Sequence, residues 1–146
     1  MSGCFDRREF LWCAGFGFLA GLPIVLAAGT QTSTGRRYPI PSGDSVTIDR
    51  QAQLILVRYQ NQVFAFNLSC PHQNAAVKWL AKDQRFQCTK HDSKYTPVGV
   101  YTSGRATRNM DRLPIQRDGD AVVVDTSRMI QSDKEASAWA NAKISL

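Results

Sequence analysis

The sequence is sparing with the side chains that bind soft metals or cross-link a chain. Its 146 residues hold four cysteines and two histidines. Cys4 and Cys13 lie in an N-terminal segment of distinct composition, so the rest of the chain has two cysteines and two histidines. That scarcity excludes a disulfide scaffold, because no pair is left to bridge once a metal site has used them. Internal repeats and low-complexity tracts are also missing, which excludes solenoid and fibrous architectures. The chain carries a net charge of +6 and a pI near 9.4, yet it has no basic helix and no aromatic stacking platform. Nucleic acid is therefore a poor match for the charge, and an acidic protein partner or an anionic membrane face a better one. The length allows one modest domain with terminal segments, not two domains.

All four soft donors outside the N-terminal segment fall in two short runs, Cys70-Pro71-His72 and Cys88-Thr89-Lys90-His91. A chain that places these donors nowhere else is presenting a metal site. A structural zinc ion is one candidate, since two thiolates and two imidazoles suit tetrahedral coordination. Zinc fingers, however, usually pair Cys with Cys in one knuckle and His with His in the other. Here each knuckle is mixed.

Around these runs the periodicity is that of strands. Ser45–Asp49 alternates, and Gln53–Tyr59 and Val63–Leu68 are rich in β-branched and aromatic residues, with Gln60-Asn61-Gln62 a tight hairpin between them. Ala76–Leu80 and Arg85–Gln87 form a second hairpin around Lys82-Asp83-Gln84 and deliver Cys88 at its exit. Leu113–Arg117 and Ala121–Asp125 close the domain across Asp118-Gly119. Short strands with no convincing helix among them predict an all-β antiparallel sandwich over 44–126. From Ser127 the character changes. Ser132-Asp133-Lys134-Glu135 reads as a capping box ahead of a helix over Asp133–Ile144, with Ala136, Trp139, Ala140 and Lys143 on one face. Such a helix either folds Trp139 back onto the domain or docks a partner subunit, and the pattern leaves both open.

Residues 44–125 resemble the Rieske iron–sulfur domain, most closely at Cys70-Pro71-His72 and at Cys88-Thr89-Lys90-His91-Asp92-Ser93-Lys94-Tyr95. The resemblance implies a Rieske-type sandwich with a small cluster-binding subdomain and one [2Fe–2S] cluster. Cys70 and Cys88 would ligate the inner iron, and His72 and His91 the outer one near the surface. Ser93 and Tyr95 stand where quinol-oxidising members carry hydroxyls that hydrogen-bond to cluster and cysteine sulfurs. Such bonds favour the reduced state and raise the potential. Two departures are visible. The extra cysteines that clamp the two loops in respiratory and photosynthetic members are replaced by Ala75 and Lys90. The third loop, Gly-Pro-Ala in that group, reads Gly104-Arg105-Ala106. The run Gly104–Asn109 is similar instead to the small Rieske subunit of arsenite oxidase. The implied role is electron transfer without catalysis by the chain alone. Its partners would be cytochrome b- or c-type subunits with quinol as donor, the molybdopterin subunit of a molybdenum oxidase, or another photosynthetic or respiratory assembly.

Residues 1–30 read as an export signal. Asp6-Arg7-Arg8-Glu9-Phe10-Leu11 resembles the twin-arginine (Tat) motif ahead of an uncharged stretch from Phe10 to Thr30. That route carries proteins already folded around a cofactor, as an iron–sulfur protein must be. Val25-Leu26-Ala27-Ala28-Gly29 offers a cleavage site, but about twenty uncharged residues suffice to span a bilayer. The expectation is a retained single-pass helix in a bacterial cytoplasmic membrane, with the N-terminus in the cytoplasm and the head in the periplasm. Residues 31–43, with Pro39 and Pro41, read as a linker to that head, and 127–146 as a tail.

Overall fold

The computed structural model describes residues 35–146, so the signal or anchor read in 1–30 lies outside the described residues. Among the described residues, no helix is long and apolar enough to cross a membrane.

The chain order is β1 (Arg36–Pro39), β2 (Ser45–Asp49), β3 (Leu54–Tyr59), β4 (Gln62–Asn67), β5 (Val77–Leu80), β6 (Arg85–Cys88), β7 (Lys94–Tyr95), β8 (Tyr101–Ser103), β9 (Ile115–Asp118), β10 (Ala121–Val124), α1 (Ala136–Asn141) and β11 (Ile144–Ser145). These strands make three antiparallel sheets, ordered β1-β10-β9, β11-β4-β3-β2 and β5-β6-β7-β8. A single 3₁₀ turn, Ala81–Asp83, joins β5 to β6.

The central hairpin β3–β4 explains how the layers are held. Its residues read Leu54-Ile55-Leu56-Val57 and Val63-Phe64-Ala65-Phe66, continuous apolar runs of the kind found in strands covered on both faces. Leu54, Leu56, Val63 and Ala65 pack with Leu113, Ile115, Val122 and Val124 of the β1-β10-β9 side. The alternate residues Ile55, Val57, Phe64 and Phe66 pack with Val77, Phe86, Cys88 and Tyr95 of the third sheet and with Cys70 in the loop before it. One hairpin thus serves two cores, and the cysteines sit inside the second. Its turn needs Gln60 and Asn61 in the left-handed region, at φ of 48° and 61°, which gives the two-residue turn that matches strand twist.

Two expectations from the sequence are corrected here. Residues 31–43 are not a linker throughout, because Arg36–Pro39 is a strand paired with Val124–Ala121 of β10. Pro39 is compatible with this pairing because β1 is an edge strand, where a missing N–H costs nothing. Tyr38 also fixes it, donating a hydrogen bond to Asp49 Oδ2 at 2.8 Å. The tail helix is likewise shorter than Asp133–Ile144. Ser132 Oγ caps nothing; it accepts from the Asn109 N–H at 3.3 Å. At the other end Ile144 pairs with Val63, so the edge of β4 wins the last residues from the helix. Between them Trp139 folds back on the domain, donating from Nε1 to Met110 O at 2.7 Å, with the buried Arg112 guanidinium 3.8 Å from its ring centre.

Candidate metal centre

Three loops at one end of the β5-β6-β7-β8 sheet build the site. The first runs from Ser69 to Ala76, which face each other as an isolated antiparallel bridge. Inside it Cys70 N–H donates to Ala75 O at 2.7 Å and Asn74 N–H to Cys70 O at 2.9 Å, a tight turn that takes Asn74 to φ 53°. The second loop leaves β6 at Cys88 and returns at Ser93, closed by Cys88 N–H on Ser93 O at 2.8 Å. Thr89 N–H reaches across to Ala76 O at 3.0 Å and ties the second loop to the first. No disulfide is involved. Cys70 and Cys88 are both free, and Ala75 and Lys90 occupy the positions where the resemblance placed a clamp.

The four donors divide by depth. Cys70 and Cys88 are buried, at 0% and 1% exposure. His72 and His91 are half-buried, with ring centres 4.7 Å apart and planes at 88°. Both Nδ1 atoms are buried and have no hydrogen-bond partner. A buried imidazole nitrogen left unpartnered costs free energy, unless something outside the chain takes its lone pair. Two such nitrogens beside each other, with two buried thiols below, fit a [2Fe–2S] cluster with one iron held by sulfur and one by nitrogen. Burial first, then the neighbouring His72, Arg105 and Lys90, hold the His91 pKa below the usual value, which favours the neutral ring. Among the described residues, no three Cys, His, Asp or Glu side chains are grouped to hold one ion. A two-iron cluster asks each iron for only two protein donors.

Ser93 and Tyr95, the two hydroxyls singled out in the sequence, are both fully buried here. Tyr95 Oη lies 3.2 Å from Cys70 Sγ. Burial first, then that contact, pushes the Tyr95 pKa well above the ordinary tyrosine value, so the phenol keeps its proton. Toward a metal-bound thiolate, which has no proton, the phenol is the donor. Ser93 Oγ accepts two backbone bonds, from Arg105 N–H at 3.2 Å and Ala106 N–H at 3.0 Å. Its own proton is left to donate elsewhere in the site.

These two bonds fasten the third loop, and sequence reasoning missed them. Gly104 is the signal that could have revealed them. At φ 110° it lies so close to the second loop that an added Cβ would sit 2.4 Å from Ser93 Cα.

Comparison with known proteins identifies a family and its cofactor. The family model for the Rieske [2Fe–2S] domain matches residues 34–127. The iron–sulfur subunit of the cytochrome b6-f complex from Chlorobaculum thiosulfatiphilum is 22% identical over 95 residues, 64% of this chain and 52% of that protein. The chloroplastic subunit of the same name from Bigelowiella natans is 28% identical over 61 residues, 42% of this chain and 24% of that one. The chain thus matches about half the length of the first relative and a quarter of the second. Among solved structures, the plasma membrane Rieske protein PetC3 from Synechocystis PCC 6803 aligns at a TM-score of 0.47 and 22% identity, over 57% of this chain and 86% of that one. With the family model covering well over half of its 146 residues, the chain belongs to the Rieske iron–sulfur proteins, electron-transfer proteins that bind a [2Fe–2S] cluster.

Proposed function

We propose that this chain is the electron-transfer subunit of a membrane-associated redox complex that passes electrons from quinol to a cytochrome. In this reading Cys70 and Cys88 hold the inner iron, and His72 and His91 the outer one. The bound cluster supplies the one-electron chemistry. The chain's own residues set its environment and its access. Burial of both cysteines keeps water from the sulfur end, while the paired half-buried rings bring the nitrogen end to the surface. At that surface one imidazole accepts the hydrogen bond, and then the proton, of a quinol hydroxyl. Histidine suits the task because its basicity shifts readily within the physiological range. The observation that carries the quinol reading is the Tyr95 hydroxyl on Cys70 Sγ, since a donor to a ligand sulfur moves the potential upward in the Rieske range of about −150 to +300 mV. The names of the relatives, subunits of cytochrome b6-f complexes, support the same reading.

A second reading is the small subunit of a periplasmic molybdenum oxidase, where the cluster relays electrons from a molybdopterin partner. Arg105 in the third loop and the absent loop clamp favour it. In either case residues 1–30 serve as a Tat-type signal and anchor that place the head in the periplasm.

Electron paramagnetic resonance of the reduced protein tests the cluster assignment, by the low average g-value of a His-ligated [2Fe–2S] centre. His91→Cys and His72→Cys add negative charge at the cluster and should lower its potential. A spectrum without the Rieske signal in the wild type refutes the ligand set. A large molybdopterin subunit purified together with the chain decides for the second reading over the first.

A further inference from the structure

The tip that carries the paired histidines is also the place where two cations have no counter-charge. Charged side chains near it are mostly spent on one another. Asp92 is met by Lys94 Nζ at 3.5 Å and by Gln87 Nε2. Arg108 is met by Asp111 at 3.0 Å and by Asp133 at 3.7 Å. Lys90 and Arg105, both exposed, make no ion pair among the described residues. Lys90 is the residue before His91, and the Arg105 backbone is bonded to Ser93, two residues after His91.

Their positions are fixed by backbone rather than by chance side-chain contacts. Lys90 sits between Thr89, whose N–H is held by Ala76 O, and His91. Arg105 follows Gly104, which is pressed against Ser93, and its own N–H is held by Ser93 Oγ. Tyr101 adds a third fastening by donating from its hydroxyl to Gly104 O at 2.7 Å. Two unpaired cations are thereby carried on two fastened loops next to His91.

We propose that Lys90 and Arg105 form a basic collar around the histidine tip that recognises the acidic face of a redox-partner protein. The inference rests on the reading of His72 and His91 as the surface ligands, because that makes the tip the point where an electron leaves. A partner must bring its own redox centre close to this tip, and charge around the contact decides how often it does so in the right orientation. Charges at such a rim act chiefly on the association rate and on its salt dependence. An acidic protein face is the fitting occupant, because the charges ring the electron exit; a membrane attracted by the overall +6 would have no need of them there.

The test uses the full chain with its cluster, reduced, and mixed with horse-heart cytochrome c in its native basic form and in its lysine-succinylated acidic form. These are probes of one shape and opposite charge. The quantity read is the ratio of the two oxidation rate constants, acidic over basic, because a change in the potential of the Rieske centre affects both alike. The wild-type ratio should exceed one at about 0.01 M salt, where the screening length is about 30 Å, and collapse toward one at about 1 M, where it is about 3 Å. The Lys90→Glu/Arg105→Glu protein should lower the low-salt ratio by tenfold or more. Lys82→Glu/Arg117→Glu, which changes the net charge equally at exposed sites away from the loops, should leave it nearly unchanged. If charge reversal costs cluster occupancy, Lys90→Gln/Arg105→Gln takes its place and should bring the ratio to the high-salt value. A flat ratio in the wild type, or equal effects of the tip and control pairs, overturns the collar; the second result assigns the basic surface as a whole, as an anionic membrane would use it. Loss of the Rieske signal in the wild type would instead overturn the ligand reading on which the collar rests.

Discussion

Replacing Tyr95 by phenylalanine removes one oxygen atom from a fully buried position and leaves the ring that packs in the core. The oxygen sits 3.2 Å from Cys70 Sγ. A hydrogen bond to a charged acceptor contributes about 1.5–3 kcal/mol in total. Only the part that grows when the cluster gains an electron enters the potential, and with the added charge shared over several sulfurs that part is about a third, or about 0.5–1 kcal/mol. For a one-electron couple tenfold corresponds to about 59 mV and 1.4 kcal/mol, so the expected fall is about 20–40 mV. Potentiometric titration followed by electron paramagnetic resonance reads this directly, with the g-values reporting that the cluster itself is intact. Because burial keeps the phenol protonated well past the ordinary tyrosine range, the difference between wild type and variant should be constant from pH 6 to pH 9. An unchanged potential with an intact cluster would refute the reasoning, since it would mean that the hydroxyl does not touch the ligand sulfur once iron is bound.

Other substitutions report on the frame that holds the site. Arg112 is buried without a carboxylate and donates to Trp139 O at 2.7 Å and to Val98 O at 3.0 Å, while burial pulls its pKa down to about 10. Arg112→Met removes a donor from Trp139 O, Ala140 O and Val98 O but also removes a buried charge, so a net loss of about 2 kcal/mol is expected in urea unfolding; Arg112→Lys should not restore it, and an unchanged midpoint in the Met variant would show that the tail needs no such clamp. Asp49 accepts from Ala52 N–H at 2.9 Å and from Tyr38, and these bonds hold its carboxyl below the ordinary value. Its folded pKa is depressed, so the stability it adds is present above about pH 4 and is lost as pH falls through the folded value. Asp49→Asn should therefore be less stable than wild type at neutral pH and converge with it on acidification; parallel stability curves down to pH 2 would contradict the assignment.

The parts legible in the sequence were those written in local pattern. Ser45–Asp49 emerges as β2 to the residue, and the hairpin at Gln60-Asn61 follows from residues that tolerate the left-handed region. The donor runs were legible because so few Cys and His compete for attention. What escaped depends on contacts between distant segments. β1 is a strand because β10 offers it an edge, which nothing in Arg36-Arg37-Tyr38-Pro39 announces. β7 has only Lys94 and Tyr95, too short to show a period, and exists because β6 and β8 flank it. The helix expected from a capping box was shortened by a competing offer from β4, taken up by Ile144. In the site, the Tyr95 contact followed from the resemblance, whereas the fastening of the third loop required knowing that Gly104 lies against Ser93.

One oxygen atom, Ser93 Oγ, is shared between two properties. It receives the backbone of Arg105 and Ala106, and in the proposed reading its own proton is the one offered to the cluster sulfurs. A substitution there cannot adjust how strongly the protein holds an electron without also shifting the loop that meets whatever takes the electron away. Threonine alone keeps the oxygen, and it adds a methyl at a position with no exposed surface. Natural variation should therefore treat Ser93, Gly104 and Arg105 as a unit of inheritance, with changes of partner arriving together with changes of redox poise.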